Sequence, residues 1–160
     1  MGSKSHLLLT RLIQLSLKKK YTTIYEKIKY GFESMYVDHV GIDLVAKNPK
    51  TNEKMGISVK SRSRSDTAKK GEHLNIGKYV ETKNKILKAC KAFDLVPYFA
   101  IVVDEGNEIM LYIISLEKFI KISPPKKILS WKMQKKWKDL YEKDEEIKVV
   151  KFDHKILNWW

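Results

Sequence analysis

The chain has 160 residues and carries 32 Lys+Arg against 19 Asp+Glu, which gives a net charge of +13. This length is enough for one well-buried core and too short to expect two. A charge so far from zero makes a polyanion the first partner to consider, so nucleic acid is favoured over the alternative that the charge serves solubility alone.

The cysteine content and the hydropathy pattern predict the compartment. Cys90 is the single cysteine, so it cannot form an internal disulfide, and it falls in an apolar helical pattern. No apolar run approaches the length of a membrane span, and no signal-peptide pattern opens the chain. We therefore predict a reduced, cytoplasmic protein with no membrane partner.

The first 32 residues predict a helix followed by a strand. Residues 5–20 (SHLLLTRLIQLSLKKK) place leucines and Ile13 on one face, with Ser5 as N-cap and lysines in the last turn. Residues 21–32 (YTTIYEKIKYGF) are rich in β-forming residues and alternate in part.

The stretch 35–64 predicts a β-hairpin, because two runs of alternating apolar and polar residues surround a turn-rich centre, Asn48-Pro49-Lys50-Thr51-Asn52. A turn centred between positions 50 and 51 sets three pairs opposite each other: Leu44 with Ile57, Asp43 with Ser58, and Gly41 with Lys60. Such a cluster suits phosphodiester hydrolysis. A carboxylate holds Mg²⁺, and a neighbouring lysine orients water and opposes the charge that builds on the phosphate.

These two runs resemble the PD-(D/E)XK nuclease superfamily, in which an Asp at a strand end is followed by Glu-x-Lys on the next strand. Gly41-Ile42-Asp43-Leu44-Val45-Ala46 and Gly56-Ile57-Ser58-Val59-Lys60-Ser61-Arg62 are similar to the pattern of its restriction-endonuclease-like, Mrr-like and resolvase-like members. The resemblance implies a nuclease that hydrolyses DNA with Mg²⁺, or with Mn²⁺ as a substitute. It assigns Asp43 as metal ligand and Lys60 as the residue that orients water.

One departure from the family pattern concerns the second carboxylate. Ser58 stands where the family has Glu or Gln, and a serine is a poor Mg²⁺ ligand that adds at most a water-mediated contact. Some Ser-x-Lys members of the superfamily take this carboxylate from a following helix. Glu72 and Glu81 are the candidates here, with Glu81 favoured because it falls in a predicted helix. The alternative, that both are ordinary solvated charges, stays open.

Residues 61–73 (SRSRSDTAKKGEH) form a polar, basic stretch without an apolar period and are predicted to be a loop. Four basic side chains of this loop are predicted to neutralise the DNA backbone beside the scissile phosphate: Arg62, Arg64, Lys69 and Lys70. His39 shares the strand face of Asp43 and is a further candidate for contact with substrate or water.

The rest of the chain predicts elements that build the core. A helix is expected at 75–93, strands at 96–104 and 108–115, and a short helix at 116–122 that ends at Ser123-Pro124-Pro125. A helix at 131–143 and a strand at 147–152 follow. Four tryptophans stack either on bases or, as the favoured alternative, on neighbouring side chains: Trp131, Trp137, Trp159 and Trp160.

This order of elements predicts an α/β fold with a mixed β-sheet core flanked by helices. The motif resemblance implies that the fold is restriction-endonuclease-like, with a nuclease-like core at 1–122 and a C-terminal extension at 123–160 packed on the same domain.

Three functions follow from the sequence. The first is a metal-dependent endonuclease acting on DNA, for which a homodimer is a further expectation because a small enzyme that cuts both strands often dimerises. The second is a catalytically inactive protein of the nuclease fold that binds nucleic acid or a partner protein. The third is an interaction module unrelated to nucleic acid.

Overall fold

The computed structural model describes residues 22–23, 41–47, 52–64, 73–106, 108–123 and 127–153. In these ranges the strands are β1 Thr22–Thr23, β2 Leu44–Lys47, β3 Lys54–Ser63, β4 His73–Lys78, β5 Val96–Asp104, β6 Glu108–Ser115, β7 Ile128–Lys132 and β8 Lys148–Asp153, and the helices are α1 Tyr79–Ala92, α2 Leu116–Ile122 and α3 Lys135–Lys143. The helix predicted at 5–20 lies outside the described residues, as does the strand predicted at 21–32 apart from β1.

Six of these strands form one mixed sheet in the order β1-β2-β3-β5-β6-β8, and β4 pairs with β7 in a separate two-stranded sheet. The pairs β1–β2, β2–β3 and β6–β8 are antiparallel, as is β4–β7. The predicted α/β class, a mixed sheet with helices, is therefore confirmed. None of the described helices has the length and apolar character needed to cross a membrane.

The chain divides into two compact units. The first contains the described residues of Met1–Val59 and Val80–Phe99, and the second those of Lys60–Tyr79 and Ala100–Trp160. In the second unit β8 pairs with β6, so part of the predicted C-terminal extension belongs to the sheet. The division into a core at 1–122 and an extension at 123–160 stays a prediction.

The first unit packs one face of α1 against the β2–β3 pair. Ile86, Ala89 and Cys90 are the buried residues of α1, and the Cys90 Sγ lies 3.9 Å from the carbonyl oxygen of Gly56 in β3. Burial raises the pKa of the Cys90 thiol to about 11, so the thiol stays protonated at neutral pH. Full burial of a side chain as large as that of Ile86 stabilises the fold by roughly 1.5–3 kcal/mol.

The second unit is built around four aromatic rings. Trp131 stacks on Tyr141 with ring centroids 4.1 Å apart and on Phe119 at 5.5 Å, while Tyr112 packs against Trp131 at 5.3 Å. All four side chains are at most 1% exposed. Burial raises the pKa of the hydroxyls of Tyr112 and Tyr141, so both stay neutral.

Several predicted boundaries hold and others shift. Strands β5 and β6 and helix α2 have the predicted bounds. The helix predicted at 75–93 begins only at Tyr79, because residues 73–78 form β4. The helix predicted at 131–143 begins only at Lys135, because Trp131 and Lys132 belong to β7.

Candidate active site

The backbone around Asp43 places this residue immediately before β2. Gly41 has a φ of +93°, a conformation that favours glycine, and the residue that follows, Ile42, is fully buried. The Asp43 N–H donates to the Ile57 carbonyl at 2.9 Å. Leu44 pairs with Ile57, so the register predicted from the turn is confirmed at this position.

The carboxylate of Asp43 is held by the neighbouring strand. Its Oδ2 accepts the Val59 N–H at 2.6 Å and lies 3.5 Å from the Ser58 Oγ, which donates at the long limit of a hydrogen bond. Ser58 is 1% exposed, whereas Asp43 is half-buried. The expectation that Asp43 faces Ser58 is thus met, and the backbone amide of Val59 fixes the carboxylate in addition.

Lys60 follows Ser58 by two residues along β3 and is half-buried. Strand β3 continues to Ser63, so Arg62 lies in a strand and not in the predicted loop. The strand is longer than the hairpin requires because the backbone also bonds to β5. The Arg64 N–H, directly after β3, donates to the Asp104 carbonyl at 2.7 Å. Of the predicted loop, residues 65–72 lie outside the described residues.

The two arginines of this segment have different surroundings. Arg62 is exposed, and it donates from Nε to the Asn75 carbonyl at 2.8 Å and from Nη1 to the Ser61 carbonyl at 2.6 Å. The Arg64 side chain is only 8% exposed and forms an ion pair with Glu105 at 3.0 Å. Arg62 is therefore the more accessible of the two for a phosphate.

Glu105 also forms an ion pair with Lys138, whose Nζ lies 2.6 Å from the Glu105 Oε1. Burial alone would raise the pKa of this carboxyl group, but the hydrogen bonds and positive charges of Lys138 and Arg64 hold it below its ordinary value. This three-residue cluster was not predicted from the sequence.

The predicted sources of a second metal carboxylate are only partly described. Glu81 lies in helix α1, as predicted, and falls in its first turn because the helix begins at Tyr79. Its carboxylate pairs with Lys85 at 2.9 Å, and both side chains are more than half exposed. Glu72 lies outside the described residues, and so do Lys69, Lys70 and His39. Among the residues that the structure describes, no group of three or more His, Cys, Asp and Glu side chains could hold a metal ion.

A Mg²⁺ ion in this type of site keeps several waters and takes one or two protein carboxylates together with substrate phosphate. The half-buried Asp43 carboxylate, a hard oxygen donor fixed in position by Val59 and Ser58, fits one such ligand. Ser58 does not fit a direct ligand, because its hydroxyl is buried and directed at Asp43.

The four tryptophans differ in burial, and two of them lie outside the described residues. Trp131 is 0% exposed and enclosed by three other rings, so it packs in the core and does not stack on bases. Trp137 is half-buried, and the Lys132 Nζ lies 3.8 Å from the centre of its ring. Trp159 and Trp160 lie outside the described residues.

Sequence reasoning missed strand β4 and the part that Asn75 plays in holding Arg62. The signal was present: the apolar Leu74 and Ile76, which are buried, alternate with the polar His73 and Asn75, which are exposed, as expected of a strand.

No protein-family model matches the chain, and no curated protein matches it. Among solved structures, the chain is similar to Hjc, a Holliday junction resolvase from the archaeal hyperthermophile Archaeoglobus fulgidus, with a TM-score of 0.49 and 15% sequence identity over 76% of this chain and 82% of that one. Similarity at this level establishes neither a common family nor a common function.

Proposed function

We propose that the chain is a metal-dependent nuclease of the PD-(D/E)XK superfamily that hydrolyses DNA phosphodiester bonds through Asp43 and Lys60. The observation that carries the proposal is the fixed carboxylate of Asp43. It lies directly before β2, and the Val59 N–H holds it at 2.6 Å. A ligand held by its neighbours needs little reorganisation when it binds a metal.

The site would combine one carboxylate and one lysine. The metal, when bound, would polarise the scissile phosphate and lower the pKa of its bound water. Asp43 would be the ligand from this strand, and Glu81 or Glu72 would supply the second carboxylate. For Glu81 this requires release of its exposed ion pair with Lys85, which costs little, because exposed pairs are worth about 0–1 kcal/mol.

Lys60 would hold the attacking water and oppose the negative charge on the phosphate. Ser58 would act on Asp43, by keeping the carboxylate oriented through its hydroxyl. Arg62, Lys69, Lys70 and His39 would contact the DNA, and Arg64 less so because of its ion pair with Glu105. The homodimer and the cytoplasmic location belong to this proposal as well.

A second candidate is an inactive protein of the same fold that binds DNA or a partner without cutting. The burial of Ser58 favours it, since β3 places a hydroxyl and not a carboxylate beside Asp43. In that case, Ser58→Glu would create metal binding that the unaltered protein lacks, and Asp43→Ala would leave DNA affinity unchanged.

The two candidates are separated by a cleavage assay with supercoiled, linear and single-stranded DNA in Mg²⁺, Mn²⁺ or EDTA. We expect metal-dependent cleavage by the unaltered protein and its loss in Asp43→Asn and Lys60→Ala. Asp94→Asn and Lys88→Ala are matched controls that remove the same charges at exposed positions of the first unit, and both should cut normally. Salt-sensitive DNA binding without cleavage under any metal would favour the inactive candidate.

A further inference from the structure

The β4–β7 pair forms a ribbon with one buried and one outward face. Along its ladder His73 pairs with Lys132, Leu74 with Trp131, and Asn75 with Ser130. Leu74 and Trp131 are buried in the second unit, as are Ile76 and Leu129. We call the other face the ribbon face; it consists of His73, Asn75, Ser130 and Lys132, with the guanidinium of Arg62 held against the Asn75 carbonyl at 2.8 Å.

The charged side chains of the ribbon face are all basic. Strands β4 (HLNIGK) and β7 (ILSWK) contain no Asp or Glu. In the described residues, five lysines elsewhere in the second unit are paired with carboxylates: Lys118, Lys121, Lys135, Lys138 and Lys151. Within the same described set, no carboxylate pairs with Arg62 or Lys132, nor with Lys78, which is exposed at the end of β4.

The two basic side chains at the ribbon face are held in place by contacts that leave their charge intact. Arg62 uses Nε and Nη1 for two backbone carbonyls, and neither bond involves Nη2. The Lys132 ammonium lies 3.8 Å from the ring centre of Trp137, a cation–π contact that orients the charge without neutralising it. Ordered cations of this kind lose little side-chain entropy when they bind a phosphate.

Helix α3 extends the same positive surface. It begins three residues after Lys132, and its first turn contains no acidic residue. Lys136 in this turn is exposed, whereas Lys135 forms an ion pair with Asp139 at 3.2 Å. Cations at a helix N-terminus oppose the helix dipole, and its N-cap residue, Gln134, makes no side-chain capping hydrogen bond. A nearby anion would offset both effects.

We propose that the ribbon face is a docking surface for the phosphate backbone of duplex DNA. This inference rests on the proposed function, for which it supplies a substrate-binding surface in the second unit. A two-stranded ribbon fits the major groove of B-form DNA, and basic side chains at its edges then lie beside the phosphates that border the groove. Contacts of this type position the duplex without reading its sequence.

The test compares the double variant Arg62→Gln/Lys132→Gln with a matched double variant, Lys121→Gln/Lys143→Gln. The control removes the same charge from the last turns of α2 and α3, outside the ribbon strands. Affinity for a fluorescein-labelled duplex of random sequence is measured by fluorescence anisotropy in EDTA, across a salt series. Circular dichroism and thermal unfolding confirm that both double variants are folded.

Each phosphate contact contributes about 0.9 to the slope of log affinity against log salt, which at 0.1 M salt is worth about eightfold in affinity. We expect the ribbon variant to lose up to about two units of slope, and roughly tenfold or more in affinity, while the control keeps the affinity of the unaltered protein. Equal affinity of the ribbon variant and the control, or an unaltered protein that does not bind duplex DNA, would each overturn the proposal.

The outcome is independent of catalysis, because EDTA removes the metal. Loss of affinity in the ribbon variant, together with no cleavage by the unaltered protein under any metal, would reject the nuclease and retain the docking surface. Metal-dependent cleavage by the unaltered protein, together with unchanged affinity in the ribbon variant, would retain the nuclease and reject the docking surface.

Discussion

Gly56 is a position at which β3 lies close to α1. A Cβ at this position would lie 2.7 Å from the Cys90 Sγ, 3.0 Å from the Ile42 Cδ1 and 3.2 Å from the Leu95 Cδ1. The first distance is shorter than any real contact allows, and two of the three neighbours, Ile42 and Cys90, are buried in the core. Glycine therefore permits the close approach of β3 and α1 in the unit that also holds Asp43.

We expect Gly56→Ala to lower the free energy of unfolding by about 1–3 kcal/mol, because overpacking forces neighbouring side chains out of their preferred rotamers. Urea unfolding followed by circular dichroism measures this loss. The double variant Gly56→Ala/Cys90→Ala provides the control, since it removes the thiol that the new methyl group meets first. Its total loss should be smaller than the sum of the two single losses, and strict additivity would contradict the contact.

At the scale of residues, the sequence predicts the neighbours of Asp43 well. The length of the turn and the alternation of apolar residues place Leu44 opposite Ile57, and from this pair the position of Ser58 follows. The hydrogen bond from the Val59 N–H could not be predicted, because a backbone amide has no sequence signal. The pair of Arg64 and Glu105 was missed because 41 residues separate its members.

At the scale of elements, Glu105 joins three parts of the second unit. It lies in the turn between β5 and β6, pairs with Arg64 directly after β3, and pairs with Lys138 in α3. The side chains of Arg64 and Glu105 are 8% and 12% exposed, so solvent screens their interaction only weakly.

Replacement of Glu105 by Gln should lower the free energy of unfolding at neutral pH by about 1–3 kcal/mol, because two poorly exposed cations lose their charged acceptor. The folded state holds the pKa of Glu105 below its ordinary value of 4.5. The stabilisation is therefore fully present above that pH and is lost as the pH falls below 4.5 through the pKa of the folded state.

Thermal unfolding across a pH series measures this dependence. The difference in stability between the unaltered protein and Glu105→Gln should stay constant from neutral pH to mild acid and shrink below it. Glu145→Gln, at an exposed position in the turn after α3, is the matched control. A difference that grows in acid, or a control that loses as much stability, would contradict this role of Glu105.

Local signals explain which elements could be predicted. Helix α2 has its predicted bounds because Ser115 caps it, with its Oγ accepting the Lys118 N–H at 3.1 Å, and because prolines follow Ser123. The sequence predicts α1 and α3 to begin earlier than they do. The residues before each helix form β4 and β7 instead, because these strands pair with each other although they are far apart in the sequence.

At the scale of the whole molecule, charge and fold class were the properties that the sequence predicted best. The net charge of +13 follows from composition alone, and the mixed sheet with helices follows from the order of elements. Where the charge concentrates could not be predicted. The ribbon face depends on the pairing of β4 with β7, and on ion pairs that neutralise five other described lysines of the second unit.

The proposed nuclease requires Asp43 to bind a metal ion. Isothermal titration calorimetry with Mn²⁺, in the presence of a non-cleavable phosphorothioate duplex, tests it without relying on turnover. We predict that the unaltered protein and Asp94→Asn bind Mn²⁺ alike, and that Asp43→Asn loses most of the binding, because the carboxamide is a weaker ligand for a hard cation. Equal Mn²⁺ binding by Asp43→Asn and the unaltered protein would contradict the assignment of the site.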